Sequence, residues 1–345
     1  YVSEGVLQSM NLAGTLPDSI GTFSQLEVLS LEGNSLSGSI PYSVGNLTEL
    51  QYLFLSENLL TYHIPDSIGN LTRLVQLNLD NTLIWSYIPL SFQFLVNLEE
   101  FFISNAEIIG TLPDVVFANM HQLTELDLSV NYMSGTLPSA LMNGPRLKYL
   151  NLGVNFLSES IPDLYNTMSN LTQLQLNDNF FNGSLPVNIG YATQLQVFDA
   201  GYNSITGPLP DSMQYLSELY YLYLATNAIT GTLARNLAVT APLLSIIDLN
   251  QNLFTGPFPE NIWELSYLQF VDVGTNGFTG TIPDTVGNAQ YLYEINLSDN
   301  RFHGSVPDTI RLCTSMDFVN LYANRFTGTV PNSFGALYEM KYLFL

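Results

Sequence analysis

The feature that most constrains this chain is a recurrence. Residues 26–41 read LEVLSLEGNSLSGSIP, or L-x-x-L-x-L-x-x-N-x-L-x-G-x-I-P, with Leu26, Leu29, Leu31, Asn34, Leu36, Gly38, Ile40 and Pro41 at fixed places. The frame returns as Leu50-x-x-Leu53-x-Leu55-x-x-Asn58, and again from Leu268 through Asn276 to Pro283. The 14 equivalents of Asn34 run from Met10 to Asn324, with eleven intervals of 24 residues and two of 25. Asn fills 11 of these positions, and Pro fills 13 of the 14 equivalents of Pro41, Ala234 being the exception. A period of this length predicts a solenoid, because one unit alone cannot bury its own apolar residues.

Each position has a physical reason. In L-x-L the two leucines point inward and the residue between them points out, as a strand requires. The Asn sits where the chain leaves the strand; its amide both donates and accepts, and is expected to satisfy backbone groups of its own turn and the next one. Gly38 relieves a tight backbone position, and the Pro that follows stops a regular helix. The two longer intervals contain residues 116–121 and 235–242, which places each extra residue in the return segment.

The repeat overrides the two-domain prior that 345 residues would carry, and predicts a single solenoid over 1–345. Thirty acidic against eight basic residues give a net charge of −22, and the first base is Arg73. Such a surface disfavours nucleic acid and anionic membranes, which need clustered Lys and Arg. Cys313 is the only cysteine, so no intrachain disulfide forms, and a small buried apolar role suits it. No apolar run is long enough to span a bilayer.

The unit L-x-x-L-x-L-x-x-N-x-L-x-G-x-I-P, followed by stretches such as Asp66-Ser67-Ile68-Gly69-Asn70-Leu71-Thr72, resembles the plant-type leucine-rich repeat. That subclass is found in ectodomains of receptor kinases, receptor-like proteins and polygalacturonase-inhibiting proteins. The resemblance covers essentially the whole chain. It implies an α/β solenoid: a right-handed superhelix with a parallel concave sheet, a short second strand at 38–41 and its equivalents on the lateral face, and 3-10 or irregular turns on the convex side. About 14 repeats and a partial fifteenth are expected. The paired-cysteine caps usual in extracellular members are not visible, so the chain reads as a fragment or as a subunit whose ends are covered. Both ends, Val6-Leu7 and 342–345, are expected to be continued by further chain or docked on another copy, head to tail.

Chemistry is sparse. His63, His121 and His303 are the only histidines and are placed in different repeats, outside the strands. They build no triad with serine or cysteine, and no metal-ligand spacing or phosphate-cradling glycine motif occurs. The sequence therefore predicts no enzyme, no catalytic or metal residues and no cofactor. Outward positions on the strands are more informative. Asp199, Tyr221, Tyr223, Asp248, Phe270 and Asp272 form a strip of aromatics and acids suited to a basic or hydroxyl-rich partner, with Asp248 and Asp272 expected side by side. Aromatics and Asp also simply suit exposed positions of a sheet. Between Asn58 and Gly110 the unit breaks its own rules: Tyr62 and Ser86 replace Gly, Thr82 and Ala106 replace the ladder Asn, and Asn81 and Asn105 come one residue early. Tyr62, His63, Trp85, Tyr87 and Phe92 then crowd the lateral side, marking either a contact site or repeat decay.

N-x-[ST] occurs at Asn46, Asn70, Asn170, Asn182 and Asn296. Asn46 and Asn70 occupy equivalent convex positions accessible to glycosylation, whereas a glycan on Asn296 would obstruct the concave strip. The leading expectation is an extracellular or cell-surface scaffold that binds a protein, peptide or glycan, basic in character, through its concave or lateral face. A structural or adhesive component assembling end to end into a filament is the alternative. A third reading uses the lateral hydroxyls (Ser37 and Ser39, Thr230 and Thr232, Thr279 and Thr281, Thr327 and Thr329) as a flat face for ice or polysaccharide.

Overall fold

The computed structural model describes residues 4–164 and 166–345. Its contacts divide the chain into two compact units, Tyr1–Leu171 and Thr172–Leu345. Each is a leucine-rich repeat solenoid. Among the described residues, the L-x-L segments form short parallel strands, seven in the first unit from Glu4–Val6 to Tyr149–Asn151 and eight in the second from Gln173–Gln175 to Tyr342–Phe344. Concave neighbours pair in register with the repeat, as in Val28↔Tyr52 and Asp248↔Asp272. Their inward leucines, including Leu53, Leu77, Leu126, Leu222 and Leu249, are buried and make a continuous core within each unit.

The ladder asparagines bind their own turn and the preceding one, not the next as the sequence suggested. Asn300 donates through Nδ2 to Leu297 O, Ser298 O and Val273 O, while its Oδ1 accepts the Phe278 N–H at 2.8 Å. Asn58, Asn131 and Asn252 repeat this pattern. Thr82 retains only a bond from Oγ1 to Leu79 O among these. The residue before each ladder position is left-handed even where it is β-branched, as at Val130 (φ 55), Val154 (φ 56) and Thr226 (φ 53). Asn81 and Asn105 occupy this same place, which explains their early arrival, since Asn enters that region at lower cost than other side chains.

On the convex side nearly every turn is 3-10, as expected. The exceptions are two one-turn α-helices, Asp114–Phe117 and Leu237–Thr240, which lie in the two 25-residue repeats. The extra residue therefore widens the turn and leaves the strands untouched. The turns stack closely: a Cβ on Gly45 would lie 2.4 Å from Ser67 O, so a side chain there would push neighbouring coils apart.

Short second strands run along the lateral face, at Ser35–Gly38 and its equivalents rather than at the expected 38–41, and here the register differs. Ala13 pairs with Ser35, an offset of 22 residues, so each coil slips by two relative to the concave sheet. His303 lies inside one of these strands, Arg301–Gly304, correcting the expectation that all three histidines fall outside strands. Among the described residues, no helix is long and apolar enough to cross a membrane.

Candidate functional site

The strip anticipated from the sequence sits on consecutive strands of the second unit. Val197–Asp199, Tyr221–Tyr223, Ile246–Asp248, Phe270–Asp272 and Glu294–Asn296 are hydrogen-bonded in that order. Asp199 therefore neighbours Tyr223, Tyr223 neighbours Asp248, and Asp248 neighbours Asp272. The structure thus brings together all six residues singled out. They are less exposed than outward strand positions suggest: five are half-buried and Asp272 is buried. Tyr221 stacks on Tyr223 with ring centroids 6.0 Å apart, and Tyr220 meets Tyr221 edge-on at 4.6 Å.

Each aspartate also serves the fold. Asp199 Oδ1 accepts the Gly201 N–H at 3.0 Å, Asp248 Oδ1 that of Asn250 at 3.2 Å, and Asp272 Oδ1 that of Gly274 at 2.9 Å. These are turns closed by a side chain two residues earlier. Asn does the same work at Asn78, Asn151, Asn296 and Asn320. Tyr223, Phe54 and Phe102 stand at the same place without closing a turn, so the fold needs no charge there and the carboxylates are additional to what it requires. The expected repulsion between Asp248 and Asp272 is moderated by amides. Asn250 Nδ2 reaches Asp248 Oδ1 at 3.0 Å and Asp272 Oδ2 at 3.5 Å, and Asn296 Nδ2 reaches Asp272 Oδ2 at 3.0 Å.

Two further groups were missed from the sequence. Glu294 lies opposite Phe270 in the sheet, and Tyr293 packs on the Phe270 ring at 6.1 Å. A carboxylate in an outward place otherwise rich in aromatics was the available signal for Glu294. Burial, then the charges of Asp272, Asp317 and Asp248, push its carboxyl up to about 7. Asp199 rises to about 6 through burial, opposed by its bond to Gly201 and assisted by Asp178 and Asp248. Asp248 also rises to about 6, through burial first and Asp272 next among the groups that raise it. Burial raises Asp272 as well. The five strands from Val197–Asp199 to Glu294–Asn296 carry no Lys, Arg or His, so no fixed cation answers these acids within them. Among the described residues, no group of three or more His, Cys, Asp or Glu side chains is placed to hold a metal.

The lateral candidates lie in the first unit. Tyr62 takes φ 66 where the repeat carries Gly, and is exposed. Trp85 packs against His63 with ring centroids 5.2 Å apart. Tyr87 covers Gly110, where a Cβ would come 2.5 Å from the ring. Phe92, expected in the same crowd, is instead fully buried in the core against Phe101. Ser86 Oγ accepts the Ile64 N–H and donates to Tyr87 O, doing locally what a glycine could not. Cys313 is buried with its Sγ 3.2 Å from Val286 O, as suits a packing residue, and burial pushes its thiol up to about 11.

The repeat frame is shared widely. Residues 7–183 match the model of the leucine-rich repeat region, and 291–313 match a single leucine-rich repeat. No curated protein matches the chain. Among solved structures it resembles PEPR1 in its complex with AtPEP1, with 28% identity and a TM-score of 0.88 over 100% of this chain and 52% of that one. It also resembles the Arabidopsis receptor kinase HAESA in complex with the peptide hormone IDA and the co-receptor SERK1, with 26% identity, a TM-score of 0.74, and 99% and 68% of the two chains covered. A leucine-rich repeat protein of Leptospira interrogans, LIC12759, is similar at 27% identity and a TM-score of 0.74, over 97% and 82%. The chain thus spans about half the length of PEPR1. With its asparagine ladder, its 3-10 convex turns and the family match over residues 7–183, this chain belongs to the leucine-rich repeat family, and its repeats are of the plant type.

Proposed function

We propose that the chain is an extracellular recognition scaffold that binds a basic peptide or protein segment along the concave strip of its second unit. One observation carries this reading: three aspartates, at places where the fold needs no charge, and Glu294, at an outward place otherwise rich in aromatics, crowd neighbouring strands with Tyr221, Tyr223, Phe270 and Tyr293 among them. A ligand cation would relieve the mutual repulsion of these acids, and the rings offer flat faces for arginine or lysine stems. PEPR1 and HAESA, which share the fold, are seen with AtPEP1 and the peptide hormone IDA, and this supports a peptide as the ligand class.

Calorimetry with short synthetic peptides carrying one to four arginines tests the proposal. Asp248→Asn with Asp272→Asn is expected to weaken binding by about tenfold and to flatten its salt dependence. Equal affinity in the parent chain and the double variant rules the strip out.

An extracellular setting makes a second expectation concrete. Asn46 and Asn70 are exposed, as are Thr48 and Thr72 of the same sequons, so both are accessible to glycosylation. Asn296 is committed instead, donating to Asp272 and accepting from the N–H and hydroxyl of Ser298. Peptide mass analysis of material from a secretory host should find glycans at Asn46 or Asn70 and none at Asn296. Unmodified Asn46 and Asn70 in that material would remove both as glycan sites.

A further inference from the structure

We propose that the lateral edge of the first unit, centred on Trp85 and Tyr87, is a second binding site whose ligand is a neutral oligosaccharide chain. The repeat abandons its own rules here, and at Tyr62 it gains little packing by doing so. Tyr62 holds a left-handed backbone that Gly would adopt at lower cost, yet its side chain is 66% exposed and adds little to the core. The lateral pairing thins to one isolated bridge, Thr61↔Leu83, between Leu59–Leu60 and Trp85–Ser86. Thr82 and Ala106 replace two ladder asparagines, and beside them runs a groove of about 310 Å³ lined by Leu59, Asn81, Leu83, Asn105, Glu107 and Tyr132.

What the edge presents suits a sugar. Trp85 is 49% exposed and Tyr87 57% exposed, and each ring is held in place, by His63 and by the Gly110 backbone respectively. Two fixed, half-exposed rings two residues apart on one coil offer faces for the C–H sides of pyranose rings. In the groove, Asn105 Nδ2 donates to Asn81 Oδ1 at 2.8 Å, an exposed pair that leaves Asn81 Nδ2 and Asn105 Oδ1 with capacity for hydroxyl groups. Charge selects against the other classes. On a chain of net charge −22, the groove carries a single carboxylate, Glu107, and no base, so neither an anionic nor a strongly cationic ligand is matched. A protein partner would favour an unbroken apolar centre, whereas polar amides interrupt the rings and leucines here.

Tryptophan fluorescence reads this edge selectively, because the only other tryptophan, Trp263, is fully buried. The whole chain is titrated with cellohexaose and xylohexaose, and with a hexamer of galacturonate as the charged comparison. The expected result is a saturable change with at least one neutral hexamer at a Kd of about 1 mM or tighter. By calorimetry, Trp85→Ala and Tyr87→Ala should each weaken that binding roughly tenfold, and Trp85→Phe by no more than about threefold, since an aromatic face is kept. Tyr291→Ala, on an exposed residue of the second unit, should leave it unchanged. No saturation with either neutral hexamer, preference for the galacturonate hexamer, or binding indifferent to Trp85→Ala and Tyr87→Ala overturns the proposal. Concentration-dependent association that Trp85→Ala abolishes, without sugar binding, assigns the edge to a protein contact instead.

Discussion

Two concave regions of this molecule use the same residue type at the same place in the repeat and put it to different ends. In the first unit Asp127 is closed into a network. It accepts the Ser129 N–H at 2.9 Å, the Ser129 hydroxyl at 2.6 Å, the Tyr149 hydroxyl at 2.9 Å and the Asn151 amide at 3.0 Å. In the second unit Asp199 has the Gly201 N–H, and Asp248 has only the backbone and side chain of Asn250. The same carboxylate is thus a structural hub where donors surround it and an under-compensated charge where rings and acids do. Composition is the same in both cases; the number of donors brought within reach decides which role the residue takes.

The sharpest way to break this comparison is truncation. Asp127→Ala leaves a backbone N–H, two hydroxyls and an amide without their acceptor, and should cost about 1–3 kcal/mol in urea melts. Asp199→Ala removes one accepted N–H and should cost under about 1 kcal/mol. Equal losses would mean that the network around Asp127 contributes no more than a single bond.

Acidity should separate the regions next. Asp199, Asp248 and Glu294 are ordinary near 3.8 or 4.5 when unfolded, and rise to about 6, 6 and 7 in the fold. The folded state therefore binds more protons between these values, and stability contributed by these groups falls as pH rises through 6–7. The melting temperature should accordingly increase as pH is lowered from 8 to 5, and Asp199→Asn with Asp248→Asn should flatten that slope. A slope that persists unchanged in the double variant would place its origin elsewhere. The same protonation removes the charge a basic ligand needs, so affinity for the arginine peptides should rise with pH over the same window, opposite in sign to stability.

The smallest expected difference lies in two tyrosines, both of which burial pushes up to about 12, with neighbouring charge adding to it. Tyr149 donates to Asp127, so Tyr149→Phe should cost about 0.5–1.5 kcal/mol. Tyr223 stacks on Tyr221, and Tyr223→Phe keeps that ring, so its stability should not change measurably. Thermal melts of the two variants side by side would show whether the hydroxyl matters only where a carboxylate accepts from it.

Much of the molecule was legible from its residues, for a reason particular to repeats. Concave strands pair at the repeat offset, Leu29 with Leu53 and Ile247 with Val271, so a linear pattern maps directly onto neighbours in space. Concave strand positions, the inward leucines, the place of the ladder and the adjacency of Asp248 and Asp272 followed from the period alone. So did the location of the two insertions, because only the convex turn can lengthen without breaking a strand pair.

Tertiary structure decided what the period does not encode. The lateral face slips by two residues per coil, so Trp85 pairs with Glu107 and packs on His63, neither of which lies one full repeat away. The ladder amides turn toward the preceding coil because their donors meet the Leu31, Leu224 or Val273 carbonyls there. Burial of an outward residue is set by what packs over it in the fold: Asp272 is covered, and Glu294, opposite Phe270, joins a strip where it had not been expected. A repeat dictates which side chains become neighbours. Whether a charged one is satisfied or left open depends on donors supplied from two coils at once, and only the folded arrangement sets that balance.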